Sequence, residues 1–118
     1  RLAEFYFLRS KGERGDEQDL FNASVYWGRQ VIIRQPHDYR GYRLLGSLYL
    51  ERLKAARDPA DGALAADELA MAVSLYPQHA ELQSELAEAF WRGGHPAAAR
   101  SFAERAIELT TSIGAWGM

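Results

Sequence analysis

Apolar positions along this chain recur at helical spacing, in segments punctuated by aspartate, glycine and proline. Leu2, Phe5, Tyr6 and Leu8 form the first such stripe, in residues 1–11. Gly12 and the polar stretch 13–16 predict a loop. Asp16 or Asp19 stands where a side chain can cap a second helix, whose apolar side carries Leu20, Ala23, Trp27, Val31 and Ile32. Pro36 ends it, because the residue before a proline avoids the helical region. Asp38 is placed to cap a third helix, with Tyr42, Leu45, Gly46, Leu48 and Tyr49 on its apolar side and a continuation through 52–56. The stretch 58–62 stops that helix, and Asp61 or Gly62 starts a fourth over 63–76, ended by Pro77. A fifth covers 80–91 and is closed by Gly93 and Gly94, since glycine tolerates the left-handed cap conformation. His95 and Pro96 open a sixth, Pro96 sitting in a first turn where its missing N–H costs nothing. It runs to about Thr110, and 112–118 read as a frayed end. The pattern predicts six helices in three antiparallel pairs and no strand.

Two of the pairs repeat one another. Ala65-x3-Leu69-x2-Ala72-x2-Leu75 returns as Ala99-x3-Ala103-x2-Ala106-x2-Leu109. Leu45-Gly46-x2-Tyr49 returns as Leu86-Ala87-x2-Phe90, and Pro36 as Pro77, both at an interval longer by seven positions. A two-helix period near 34 marks a helical repeat array. The extra positions are then an insertion between Tyr49 and Ala65, within 52–62. Gly46, Ala65, Ala72, Ala87, Ala99 and Ala106 are small where two helices must approach to about 8–10 Å. Leu45, Tyr49, Leu86 and Phe90 fill the space beside them.

Composition narrows the function. The 118 residues fit one domain, and 47% hydrophobic with 25% charged is ordinary for a globular chain. A net charge of −2 disfavours nucleic-acid binding, which needs clustered excess Lys and Arg. The absence of cysteine removes disulfides, thiol chemistry and Cys-type zinc sites, and leaves cytoplasm and periplasm equally open. No apolar run is long enough to insert into a membrane. The start on Arg1 is expected of a piece of a longer protein, and the Ala/Arg-rich, Lys-poor composition points to a bacterial source.

The chain resembles the tetratricopeptide repeat family, whose pattern is an aromatic, two residues, Leu-Gly, two residues, Tyr, then Ala-x3-Phe-x2-Ala and a closing Pro. The second pair supplies Tyr42, Leu45, Gly46, Tyr49, Ala65, Leu69, Ala72 and Pro77. The third supplies Leu86, Ala87, Phe90, Gly94, Ala99, Ala103 and Ala106, but departs at Gln83 (no aromatic), Ala103 (no large residue) and Thr111 (no proline). In the first pair only Val31 and Pro36 fall in register, with Ser24 and Gly28 at the small positions. The resemblance implies an all-α right-handed superhelix of about three helix pairs: residues 1–36, 38–77 with the insertion, and 79–110, with a tail at 111–118. It also implies a scaffold that binds a protein or peptide segment in a concave groove, without catalysis, cofactor or metal.

In that family the first helix of each pair lines the groove. Carried over, the second pair presents Arg40, Arg43, Ser47 and Leu50, and the third presents Glu81, Ser84, Glu88 and Trp91. Arg40 and Arg43 either clasp a carboxylate or acidic peptide, or pair with Glu81, Glu85 or Glu88 on the next helix. Neither matching site holds the Asn of the clamp that some members use on chaperone C-termini. Trp91 follows the core residue Phe90, so it either anchors a peptide or packs under the turn. Trp27 is expected in the core. The insertion carries either specificity or neutral surface.

Catalytic constellations are not found. His37, His79 and His95 all fall at helix junctions; His37 and His79 each follow a closing proline and read as equivalent turn positions, about one repeat apart and too far to share a metal. His37-Asp38 has no Ser or Cys nucleophile to serve. Glu81, Glu85 and Glu88 form a solvated acidic face. Gly93-Gly94 lacks the strand and Lys of a phosphate loop. Two rival readings are self-association, because no polar helix caps the array after Leu109, and an accessory role in a larger bacterial enzyme or envelope-assembly protein.

Overall fold

The structure, a computed structural model, describes the backbone of residues 14–116 and the side chains of 17–111. Among these residues the chain forms five helices and no strand: α1 (Arg14–Arg34), α2 (Tyr39–Ala56), α3 (Pro59–Leu75), α4 (Ala80–Arg92) and α5 (Pro96–Trp116). The stripe in residues 1–11 lies outside the described residues. Short connections force each helix back along its predecessor. Each packs mainly on its sequence neighbours, and α4 also touches α2. The extents, 49 × 31 × 23 Å, suit such a row of rods.

The ends of the helices follow from local chemistry. Asp38 caps α2, its Oδ1 accepting from the Arg40 N–H at 3.0 Å. The turn between α2 and α3 differs from the expected stop over 58–62. Asp58 caps α3 by accepting from the Ala60 N–H at 3.0 Å, with Pro59 in the first turn, so the helix starts about one turn before Ala63. The insertion is therefore helical except for Arg57 and Asp58. Arg57 closes α2 in the left-handed region (φ 59°), its N–H reaching the Leu53 carbonyl at 2.7 Å. The two glycines after α4 have different reasons to be there. Gly94 has φ +87°, whereas Gly93 lies against Gly62 of α3, where a Cβ on Gly62 would come within 2.9 Å of the Gly93 Cα. Two further ends differ from the expectation. α1 already includes Arg14 to Asp16, read as loop and cap. α5 continues past Thr110 to Trp116, since neither proline nor a glycine stop stands at Thr111.

Hydrophobic burial centres on Leu45, Leu69, Leu82 and Leu86, with Ala65, Ala72 and Ala89 fully enclosed among them. Small residues let the rods touch. A Cβ at Gly46 would lie 2.5 Å from Leu69 Cγ, and one at Gly28 would lie 2.6 Å from Leu45 Cδ2. Ser24 and Gly28 are both buried, as their register predicts. Trp27, expected in the core, is 38% exposed. The buried line of α1 runs through Phe21, Ser24 and Gly28, with Val25 and Ile32 beside it, and at about 100° per residue Trp27 falls roughly 120° away from it.

Where the third pair departs from the pattern, neighbouring groups take over. Tyr42 donates its hydroxyl to the Pro36 carbonyl at 3.3 Å. Gln83, at the matching position of the next pair, is buried and donates Nε2 to the Pro77 carbonyl at 2.9 Å. Phe102, next to the small Ala103, stacks on Phe90 with centroids 5.6 Å apart.

One ion pair locks the insertion. Asp61, inside α3 and 3% exposed, receives Arg52 Nε at 3.0 Å and Nη2 at 2.8 Å, while the guanidinium covers the Phe21 ring at 4.0 Å. Buried carboxylates require such a partner. With Leu53 and Gly62 also buried, only the tip of the insertion projects.

Leu45→Ala and Leu86→Ala are each expected to lower the unfolding free energy by about 2–5 kcal/mol. Gly46→Leu should cost at least as much by displacing Leu69. Urea denaturation of the three variants checks this. Arg52→Met should cost about 2–3 kcal/mol by stranding Asp61, the low end because part of Arg52 meets water. Arg52→Met/Asp61→Leu should recover most of that loss in the same assay.

Candidate protein-binding surface

Side by side, α2 and α4 are bridged by charge. Arg43 projects from α2 and forks onto Glu85 of α4, Nε to Oε1 at 3.0 Å and Nη2 to Oε2 at 2.6 Å. The bond to Glu85 raises the already high Arg43 pKa. Further along the two helices, Lys54 reaches Glu88 at 3.4 Å and Glu51 at 3.3 Å, and Arg92 donates to Glu88 at 2.9 Å. Burial pushes the Glu88 carboxyl up, but the Arg92 hydrogen bond and the Lys54 charge outweigh it and hold the group below its usual value. All these side chains are partly exposed, so each pair is worth little net free energy.

The expected groove residues divide. Arg43 and Glu88 stand in this strip, Ser47 is half-buried on α2, and Ser84 and Glu81 are exposed on α4. Arg40 turns back onto its own cap, Asp38, with contacts of 2.6–3.2 Å, and is paired with none of the glutamates proposed for it. Leu50, expected to face a ligand, belongs to the buried core instead. Trp91 is exposed but lines a different feature, a groove of about 300 Å³ between α4 and α5 with Ala87, Glu88, Pro96, Ala99, Arg100 and Ala103. Sequence reasoning missed Lys54 and Arg100. Arg43 thus takes the pairing with Glu85 that the sequence offers as one alternative, whereas Lys54–Glu88 and the Asp38-x-Arg40 contact are not among the pairings it suggests.

A second cleft, about 560 Å³, opens at the α1–α2 turn against the end of α3 and includes His37, Asp38, Tyr39 and Tyr76. Its lining holds no Ser, Thr or Cys, and Asp38 is already engaged by Arg40. Tyr39, Tyr76 and His79 pack ring on ring at 5.1–5.7 Å. His79 Nδ1 also accepts from the Leu82 N–H at 3.4 Å as the α4 cap. His79 thus matches Asp38 of the preceding pair, and His37 is not its equivalent as the sequence suggests. Among the described residues no three His, Cys, Asp or Glu side chains could hold a metal ion together, and no helix is long and apolar enough to cross a membrane.

Neither a protein-family model nor a curated protein matches the chain.

The Arg40 hydrogen bond, chiefly, holds the Asp38 carboxyl at about 2, below its ordinary 3.8. The unfolded chain then takes up this proton first on acidification. Its stabilising contribution is full above pH about 4 and fades as pH falls toward about 2. Asp38→Asn keeps a capping oxygen but not the titration, so urea melts between these pH values should show a shallower acid loss than in the parent chain.

Proposed function

We propose that these helices belong to a right-handed repeat array of the tetratricopeptide kind, which holds a peptide or segment of another protein across α2 and α4 and performs no chemistry itself. The strip of exchangeable ion pairs between the two helices carries this reading. Arg43–Glu85 and Lys54–Glu88–Arg92 are solvated enough to be traded for a partner's charges at small cost. They sit on a pair of rods braced by a third: Gly46 lets α2 lie close against α3 at Leu69 and Ala65, and α4 packs on both. A ligand carboxylate would replace Glu85 on the planar Arg43 fork, and a ligand cation would replace Lys54 or Arg92 on Glu88. The repeat reading is supported by features that recur in one register: the caps Asp38 and His79, and the hydrogen bonds of Tyr42 and Gln83 to the Pro36 and Pro77 carbonyls.

Affinity capture with the parent chain and with Arg43→Glu/Glu85→Arg tests this. The double variant keeps an ion pair with its poles exchanged, so it should fold and melt like the parent chain while losing bound protein. Capture of the same proteins by both overturns the assignment of the surface.

A further inference from the structure

The groove between α4 and α5 has a counterpart inside the chain. Laying α4 on α2 and α5 on α3 in the repeat register carries one lining residue, Glu88, onto the half-buried Ser47 and the other six, Ala87, Trp91, Pro96, Ala99, Arg100 and Ala103, onto Gly46, Leu50, Gly62, Ala65, Ala66 and Leu69. All six counterparts are buried. The contrast is largest at the big side chains: Leu50 is 5% exposed and Trp91 67%, and just beyond the groove Val73 is 8% exposed and its match Ile107 65%. The helix packed on both α2 and α3 is α4, and Gly93, just after its end, rests directly on Gly62. One position of the array is thus filled by a helix of this chain, and among the described residues the next is open.

We propose that the α4–α5 groove is a docking site for an acidic amphipathic helix of a partner protein, seated there as α4 is seated on α2 and α3. The inference rests on the repeat reading above. α4 itself supplies the template for the occupant. It brings Leu82, Leu86 and Ala89, at one-turn spacing, to the core, with Glu85 and Glu88 reaching basic groups on α2. In the open groove the floor is Ala87, Ala99 and Ala103, small enough to admit leucines. Trp91 offers an apolar wall, and the exposed Ile107 lies just beyond it. The groove's carboxylate, Glu88, is already held by Lys54 and Arg92, and the register matches of Arg43 and Lys54 fall on Ser84 and His95, so the charge argument comes from Arg100, which stands where α3 has the buried Ala66. It pairs with Glu104 on the next turn of its own helix, a highly exposed contact readily exchanged for a partner's carboxylate.

The test titrates the full, isotope-labelled chain with a capped peptide of residues 79–94 held helical by a staple between positions 80 and 84, its helicity verified by circular dichroism. The expected result is a saturable set of amide shifts at Ala87, Trp91, Ala99, Ala103 and Ile107. Ala103→Glu should weaken it at least about tenfold, and Ile107→Glu, on an exposed position, gives a second variant if the first does not fold. Absence of saturation at millimolar peptide overturns the proposal. Shifts confined to Arg43, Lys54 and Ser84 overturn it too while leaving the α2–α4 reading intact. Concentration-dependent dimerisation that buries Trp91 without peptide also overturns it, by making a second copy the occupant.

Discussion

Helix crossings in this chain depend on side chains too small to hold two backbones apart. Gly28 receives Leu45, Gly46 receives Leu69, and Gly62 meets Gly93 backbone to backbone. At each place a single added carbon would enter space already occupied. Close approach lets the leucines interlock, and the buried cluster draws its members from α1 to α4. Among the described residues, the end rods α1 and α5 leave large apolar groups such as Val31, Ile33 and Ile107 exposed.

Charge plays three roles along the same scaffold, and depth separates them. Arg52–Asp61 buries its carboxylate, closes the two helical arms of the insertion on each other and lays the guanidinium over Phe21 of α1. Arg43–Glu85 and Lys54–Glu88 lie half in water and align α2 with α4 without committing those groups. Arg100–Glu104 lies almost wholly in water and aligns nothing beyond its own helix. Only the second and third kinds can be surrendered to a ligand cheaply. The functional reading therefore places binding on α2–α4 and on the α4–α5 groove, away from the insertion.

Much of the architecture is legible in sequence because it rests on local rules. Helix existence, the caps at Asp38 and Gly94, and the small positions Gly28, Gly46 and Ala65 follow from spacing and residue type. Trp27 departs from its expected place because α1 carries apolar residues nearly all round, so periodicity leaves its rotation open, whereas Ser24 and Gly28 mark the buried side correctly. Leu50 departs because the family's groove register assumes a helix of standard length, and α2 runs on past it to bury Leu53. The start of α3 comes earlier than expected because Asp58-Pro59 serves as both a stop and a cap-plus-first-turn signal. Of the ion pairs that define the candidate surface, Arg43–Glu85 is one of the pairings expected between neighbouring helices, whereas Lys54–Glu88 depends on how α2 and α4 lie together, which no single-helix pattern encodes.

The account stands or falls on the backbone-close crossings. The most direct measurement is a nuclear Overhauser spectrum of the assigned chain, read at the glycine α-protons. Strong cross-peaks from Gly46 to the Leu69 methyls, from Gly28 to the Leu45 methyls and between Gly62 and Gly93 are the predicted result. If Gly46 and Gly62 gave only intrahelical or solvent cross-peaks, the rods would not meet as described, and both proposed surfaces would lose their foundation.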